Sequence, residues 1–391
     1  MTMGKEPEDV VVVSALRTPI CKARRGALRN VTPDDLLCAV LRSTLSSTGL
    51  SPALLGDVAV GNVQQAGSYA GPARMAALRA GIPASVPLHA INRQCASGLQ
   101  AVASVAAAIA AGHISIGIAA GVESMSCGGG ASPAEMPPCN LNEILAHPLA
   151  AECLVPMGMT AENVAERYGV TRLEQDRMAA SSHAKALAAQ AGGRFSDEIV
   201  PITLEDGAQV TADDGPRKDS TLERLAALPA VFKEGGTVTA GSSSQVSDGA
   251  AAVLLMSRRT AEALGLRPLG TLRSYRVVGV QPEEMGIGPA AAVPAALDAA
   301  GVDMQSVDIF ELNEAFAAQA VYCVKKLGIP EEKLNPNGGA IALGHPLGCT
   351  GARQVATLLH ELRRSKKRFG VVTMCIGTGM GAAALFEADY E

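Results

Sequence analysis

The chain has no tryptophan, and aromatic residues make up only 3% of it. Its interior must therefore be filled by Ala, Val, Leu, Ile and Gly, small side chains that let helices pack closely where they are themselves buried. Charge of neither sign dominates: 33 basic against 38 acidic residues leave a net −5, which argues against a nucleic-acid-binding surface. The one dense basic run, Arg363 to Arg368, reads as a solvated helix end. The nine cysteines form no Cys-x-x-Cys pair and no zinc spacing, so no metal site is expected, and their odd number speaks against a full disulfide framework. A reducing compartment is the simpler reading. Nor is there an unbroken apolar run of membrane length. The most apolar window, Leu99 to Gly121, is interrupted by Gly112 and His113 and reads as a core helix followed by a buried strand, so no stable membrane insertion is expected. Met1 to Asn30 carries no readable targeting signal, and the closing residues are not Ser-Lys-Leu.

What is present is a globular pattern. Hydrophobic residues make up 48% and charged ones 18% of 391 residues, enough for about two or three domains. Val10 to Ser14 is a β-branched run of the kind buried on both faces of a sheet. Thr32-Pro33-Asp34-Asp35 carries N-cap, N1 and first-turn signals for a helix to about Ser47. Strands at Asp57 to Gly61, Pro87 to Asn92 and Ile114 to Ala120 alternate with helices at Gly71 to Ala80 and Ala101 to Ala111, which predicts a parallel sheet with covering helices. From Ser126 to Arg258 the texture changes. Gly128-Gly129-Gly130, Pro133, Pro137-Pro138 and Pro148 predict a long irregular insertion, then helices at Thr160 to Tyr168 and Leu173 to Gln190 and strands at Thr237 to Gly241 and Ala250 to Met256. After Pro268 the first pattern returns, with strands at Leu269 to Val278, Val307 to Leu312 and Phe369 to Cys375. Its helices are expected at Ala291 to Ala300, Glu314 to Leu327 and Gly348 to Arg364. Each half has a strand ending at an Asn (Asn62, Asn313), later a glycine turn, a long helix and a strand, which implies an internal duplication.

Three stretches carry chemistry. Cys95, in Asn92-Arg93-Gln94-Cys95-Ala96-Ser97-Gly98, stands just ahead of the alanine-rich helix. A helix N-terminus favours a thiolate and would lower the thiol pKa, making the sulfur a nucleophile. Read alone, a buried apolar cysteine is the commoner case. His345, in Gly344-His345-Pro346-Leu347-Gly348, is one of only six histidines and lies among glycines that allow close approach, yet alone it reads first as a structural histidine. Cys375 opens Cys375-Ile376-Gly377-Thr378-Gly379-Met380-Gly381 at a strand's C-terminal end, where α/β folds put ligands. Gly377-x-Gly379-x-x-Ala382 nearly fits a dinucleotide fingerprint, but the nine residues after Ala382 leave no room for the rest of that unit, which excludes it. Two cysteines and a histidine on equivalent turns point to one sulfur as nucleophile and another as acid or base.

These stretches, together with Asn313-Glu314-Ala315-Phe316, resemble the four signature blocks of thiolases, in family order, over about Val10 to Phe386. Cys153-Leu154-Val155-Pro156-Met157-Gly158 and Ser243-Ser244-Gln245-Val246-Ser247-Asp248-Gly249 are most similar to the peroxisomal-type 3-ketoacyl-CoA thiolases. The resemblance implies an α/β thiolase fold: two similar α/β domains of mixed sheet with buried helices, plus an inserted loop domain. It gives residues 1–125 to the first domain, 126–258 to a CoA-binding insertion whose strands from about 237 complete that domain, and 259–391 to the second. It implies Cys95 as nucleophile, His345 as its base, Cys375 as acid and base, and Asn313 holding a water beside His345. The backbone N–H groups of Cys95 and Gly377 would face a second oxyanion. Glu314 reads as a plain helix-start carboxylate.

Coenzyme A is implied as substrate, with no other cofactor. Arg217, Phe232 and Ser244 are the implied CoA contacts, and Met157, with Phe316, lines the acyl pocket. Ser242 departs from the family's Asn, and Pro156 stands where short-chain biosynthetic thiolases have His. Cys153 is a candidate redox partner of Cys95, against the plainer reading of an inert buried thiol. A homodimer or tetramer acting on acyl-CoA and CoA is implied, in a peroxisome or related organelle or alternatively the cytoplasm. Competing readings are a biosynthetic acetoacetyl-CoA thiolase and an inactive acyl-CoA- or lipid-binding relative. A β-ketoacyl synthase would need two site histidines, or a histidine and an asparagine, in place of Cys375.

Overall fold

The structure, a computed structural model, describes residues 4–127 and 138–389. Gly128-Gly129-Gly130, Pro133 and Pro137 of the expected insertion, and the residues at both chain ends, lie outside the described residues. In chain order the first half runs β1 (Val10–Arg17), β2 (Cys21–Lys22), α1 (Pro33–Thr48), β3 (Asp57–Gly61), α2 (Ala70–Arg79), β4 (Leu88–Ile91), α3 (Ser97–Ala110) and β5 (Ile116–Ser124). Then come α4 (Leu141–Ala146), α5 (Pro148–Glu152), α6 (Met157–Tyr168), α7 (Arg172–Ala191), β6 (Ile202–Thr203), β7 (Gln209–Val210), α8 (Leu222–Ala226) and β8 (Ser247–Ser257). The rest is α9 (Arg258–Ala263), β9 (Gly270–Gly279), α10 (Gly288–Ala300), β10 (Ile309–Leu312), α11 (Ala317–Leu327), α12 (Ala340–Leu343), α13 (Leu347–Ser365), β11 (Phe369–Ile376) and β12 (Met380–Ala388).

The larger strands form one sheet in the order β10-β11-β12-β9-β1-β8-β5-β3-β4, with β2 paired to β8. It is mixed rather than parallel, which corrects the expectation from strand-helix alternation. Only the pairs bridged by a crossover helix, β3 with β4 and β5 and β10 with β11, run parallel. β11 and β12 are joined by three residues with Thr378 at φ 68° and Gly379 at φ 91°, and so short a link permits only an antiparallel pair. β8 returns antiparallel between β1 and β5, as β12 does between β9 and β11. The halves meet where β1 and β9 pair.

Side-chain alternation puts two cores on the two faces of this sheet. Val11 and Leu254 face α1 and α2, in a cluster with Leu37, Leu41 and Ala76. Val12, Val253 and Leu255 face α3 and α13, in a cluster with Leu99, Val105, Val355 and Leu359. Each such aliphatic side chain contributes about 1.5–3 kcal/mol by leaving water. The alanines of α3 have a steric reason. A Cβ on Gly98 would stand 2.7 Å from Gly348 O and 2.9 Å from Ala352 N, so α3 and α13 approach backbone to backbone.

Several boundaries depart from the sequence expectations. α4 and α5 occupy residues expected to be irregular, and β12 was not anticipated. Thr237 to Gly241 is not a strand: Thr239 and Ser242 cap each other reciprocally around a single 3-10 turn, Ala240–Ser242. Ser242 thus closes its own loop through its hydroxyl. α11 starts at Ala317 rather than Glu314, because Phe316 is extended at φ −142°.

Candidate active site

Cys95 sits in a turn between β4 and α3 that neighbouring side chains hold shut. Ser97 Oγ accepts from Arg93 N at 2.9 Å and donates to Gln94 O at 2.6 Å, while Asn92 Oδ1 accepts from Gln94 N at 3.0 Å. These bonds hold Gln94 at φ 47°, a strained conformation for a side-chain-bearing residue. The Cys95 sulfur is met by the N–H of Gly377 and by its own N–H. The expected low pKa is nevertheless corrected: burial outweighs both donors and pushes the thiol up to about 11. At rest Cys95 is a thiol, and it needs a base.

His345 lies between α12 and α13, buried. Its Nδ1 is 2.6 Å from Thr350 Oγ1, and its Nε2 is 3.3 Å from Asn313 Nδ2. Thr350 donates its single hydroxyl proton to Pro346 O at 3.1 Å, so Thr350 Oγ1 must accept from Nδ1–H. That tautomer puts the ring's lone pair on Nε2, where it accepts from Asn313 Nδ2 and can act as a base. Burial, reinforced by Arg353, holds the imidazole down to about 3, so it is neutral at rest. Asn313 follows β10 directly, extending the ladder through its N–H to Thr373 O at 2.9 Å.

Cys375 is fully buried near the end of β11. Burial, with the Cys95 and Cys323 thiols as neighbours, raises it well above the ordinary thiol value. Around it pack Met285 and Ala315, with Met157 and Phe316 partly exposed beside them. A Cβ at Gly377 would lie 3.6 Å from Met157 Sδ. Phe232 meets Phe316 edge-on at 5.9 Å, and Ser244 N donates to Ala315 O at 3.0 Å. The structure therefore gathers Cys95, Cys375, Gly377, Met157, Phe316, Phe232 and Ser244 in one neighbourhood, with Asn313 in contact with His345. Arg217 stands apart: exposed, its one recorded hydrogen bond is from its N–H to His183 Nδ1 at 3.2 Å.

Three residues change their meaning. Cys153 is not a buried inert thiol: it is partly exposed at the end of α5, its Sγ 4.0 Å from Thr378 O beside Gly377. Glu314 is not a helix-start carboxylate. It is buried ahead of α11 and accepts from Ser182 Oγ at 2.6 Å, Asn335 Nδ2 at 2.7 Å and Ile341 N at 3.3 Å, fixing the segment that leads through α12 to His345. Glu123 escaped sequence reasoning altogether. It lies at the buried end of β5 and accepts from Val63 N and Gln64 N at 3.1 Å, Asn62 Nδ2 at 3.3 Å and Gly348 N at 2.9 Å. The available signal was a carboxylate closing an otherwise apolar strand. Among the described residues no three His, Cys, Asp or Glu side chains are grouped to hold a metal, and no helix is long and apolar enough to cross a membrane.

Residues 10–259 match the thiolase N-terminal domain family and residues 266–388 the thiolase C-terminal domain family. The chain is 58% identical over 388 residues to mouse (Mus musculus) peroxisomal 3-ketoacyl-CoA thiolase A, covering 97% of this chain and 91% of that protein. Its fold superposes on the dimeric peroxisomal thiolase of Saccharomyces cerevisiae with a TM-score of 0.94 at 49% identity, covering 99% of both chains. The acetyl-CoA acetyltransferase of Bacillus anthracis follows at a TM-score of 0.90 and 40% identity, covering 98% of this chain and 100% of that one. Family matches over residues 10–259 and 266–388, with relatives and folds alike over nearly the whole chain, show that this chain belongs to the thiolase family.

Proposed function

We propose that this protein cleaves 3-ketoacyl-CoA with CoA, giving acetyl-CoA and an acyl-CoA shortened by two carbons, as its peroxisomal relatives' names describe. The observation that carries the reading is the pair of thiols, half-buried Cys95 and fully buried Cys375, one under the Gly377 N–H and both held protonated at rest. Cys95 gives its proton to His345 Nε2 and attacks the C3 carbonyl. The oxyanion that forms on C3 faces the N–H groups of Cys95 and Gly377, while His345 and a water held by Asn313 serve the enolate oxygen of the departing acetyl-CoA. Collapse of the C3 oxyanion breaks the Cα–Cβ bond, leaves the acyl group on Cys95 as a thioester, and expels the acetyl-CoA enolate. Cys375 protonates that enolate; a thiol whose pKa burial has raised is still protonated when the carbanion forms. The Cys375 thiolate left behind is a correspondingly strong base for the incoming CoA thiol. CoA sulfur then attacks the thioester, its oxyanion again facing the N–H groups of Cys95 and Gly377, and Cys95 leaves as a thiolate that takes its proton back from His345.

Coenzyme A is the second substrate, and no step calls for a further cofactor. In this reading residues 1–125 and 259–391 are the two α/β domains, with β8 (Ser247–Ser257) completing the first. Residues 126–258 carry the CoA contacts, Phe232 and Ser244 nearest the thiols and Arg217 at the rim. Met157 and Phe316 line the acyl path. The working unit is a homodimer, the state named for the yeast protein, and the site of action is the peroxisome. The greater likeness to peroxisomal 3-ketoacyl-CoA thiolases than to the acetyl-CoA acetyltransferase supports degradation over condensation. The test is CoA-dependent cleavage of 3-ketoacyl-CoA substrates of increasing length, for wild type and Cys95→Ser. Cleavage of long chains, abolished in the variant, is expected. Activity confined to acetoacetyl-CoA would move the assignment to the biosynthetic class, and none at all would overturn it.

A further inference from the structure

The motif Ser243-Ser244-Gln245-Val246-Ser247-Asp248-Gly249 holds a side chain that the reaction above does not use. Gln245 meets the chain at the end of α12, just before His345. Gly344 N closes the last bond of that short helix, to Ala340 O at 2.9 Å. The next helical bond would run from His345 N to Ile341 O. Gln245 takes both of its ends instead: His345 N donates to Gln245 O at 3.0 Å, and Ile341 O accepts from Gln245 Nε2 at 3.3 Å. The next carbonyl, Ala342 O, has no helical donor because the residue four further on is Pro346; it too accepts from Gln245 Nε2, at 3.2 Å. Gly215 O is the third acceptor, at 3.1 Å. Two amide hydrogens serve three carbonyls, so one hydrogen is shared. The amide's own oxygen, Gln245 Oε1, is shielded from water and has no partner among the described residues. Turning the amide over would aim that oxygen at three others, so the bonds from Nε2 fix its orientation.

The same amide reaches the segment that leads to Arg217. A Cβ on Gly215 would collide with Ala342 O, so this segment and α12 touch backbone to backbone, and Arg217 N, two residues on, donates to His183 Nδ1 at 3.2 Å. Resting on the thiolase reading, we propose that Gln245 is a positioning residue: it ends α12 by standing in for the missing helical bond, and so sets the base His345 in place relative to the CoA-contacting segments. Thr350 Oγ1 and Asn313 Nδ2 orient the imidazole ring. Gln245 fixes the backbone from which the ring projects. Ser244, beside it in the chain, and Arg217, just past the carbonyl it holds, are CoA contacts in that reading, so the base and the CoA site share one support.

The test compares Gln245→Met, which keeps the side chain's reach and removes its N–H groups, with Gln245→Glu, which keeps its shape and puts an oxygen in place of Nε2. Neither removes the backbone acceptor of His345 N. Gln245→Met should lower kcat/KM for 3-ketoacyl-CoA about tenfold to a hundredfold, by a factor that does not change with pH. Gln245→Glu should recover as pH falls. Ionised, its carboxylate faces three carbonyl oxygens and repels them; protonated, it donates one hydrogen to them. Relative to wild type, its kcat/KM should rise roughly threefold or more from about pH 8 to about pH 6, a change that packing alone would not produce. A ratio that is flat or falls with acidification, or wild-type activity in Gln245→Met, would overturn the proposal. Where Gln245→Met does not fold, the Gln245→Glu ratio decides. A second readout needs no turnover: the His345 ring signal in the substrate-free protein, followed by NMR and assigned by its loss in His345→Asn. It should shift in Gln245→Met and, in Gln245→Glu, return toward its wild-type position as pH falls; an unmoved signal in both would refute the role. Wild-type protein that cleaves no 3-ketoacyl-CoA would overturn the proposed function, and the ring signal would still decide the place of Gln245.

Discussion

Glu123→Gln tests whether a buried carboxyl that no sequence pattern revealed titrates as its surroundings dictate. Glu123 accepts four hydrogen bonds, from three backbone N–H groups and Asn62 Nδ2, yet burial dominates and pushes it up from 4.5 to about 7. Between those values the folded protein keeps a proton that the unfolded chain has released, so stability falls as pH rises through the window. At 1.36 kcal/mol per pH unit the whole effect is about 3 kcal/mol, of which roughly 2–3 kcal/mol falls between about pH 5 and pH 8. Glutamine does not titrate. It resembles the protonated acid in offering one carbonyl acceptor, so variant and wild type should lie close at the acid end and diverge in the variant's favour toward pH 8. Equilibrium urea unfolding of both proteins, at one protein concentration and a series of pH values, reads the gap directly. A gap that stays constant, or that widens against the variant as pH rises, would mean that Glu123 is already ionised at acid pH, and the desolvation argument fails.

Glu314→Ala strips the acceptor from Ser182 Oγ, Asn335 Nδ2 and Ile341 N, all buried, and should cost about 3 kcal/mol or more while lowering kcat through the loosened His345 segment. Unchanged urea midpoint and kcat would remove Glu314 from that role. Gly98→Ala forces a methyl against Gly348 O at 2.7 Å and should destabilise by about 1–3 kcal/mol or more, whereas Gly279→Ala, with open space around its Cβ, should be near neutral; equal effects would contradict the α3 and α13 contact. Cys153→Ala should protect activity under mild oxidation, since Cys153 Sγ lies 4.0 Å from Thr378 O beside the site. Equal inactivation of variant and wild type would reject a switch between Cys153 and Cys95.

Most of the framework was legible because its signals are local. The β-branched runs and the Pro33 start with Asp34 and Asp35 each act within a few residues. What escaped depends on partners far away in sequence. Strand direction is set by which strand arrives alongside, so β8 could not be oriented from its own apolar residues. Cys95 has the spacing of an activated thiol, but its protonation is decided by water exclusion, which no spacing records. Glu314 has a helix-start context; its real partners, Ser182, Asn335 and Ile341, come from α7, a loop and α12. The four candidate reactive residues were readable because family-length motifs surround them, whereas Glu123 lies outside those motifs.

The duplication gives these residues a common logic. Gly61 pairs with Gly121 across β3 and β5, and Leu312 with Thr373 across β10 and β11. Counting on from those pairs, Asn62 and Asn313 take equivalent places, and so do Glu123 and Cys375. Cys95 stands two residues before the first residue of α3, and His345 two before that of α13. The same three positions therefore occur twice. In the first half they hold Asn62, Glu123 and Cys95; in the second, Asn313, Cys375 and His345. In the proposed reaction Cys95 and His345 supply the nucleophile and its base from opposite halves. The remaining positions have diverged: in the proposed reaction Asn313 and Cys375 face the substrate, while Asn62 donates to Glu123 and Glu123 accepts from Gly348 N, anchoring the helix that follows His345. One copy of the Asn and strand-end pair does chemistry because the other holds the scaffold. Exchanging Glu123 for a thiol should therefore unseat α13 rather than create a second acid.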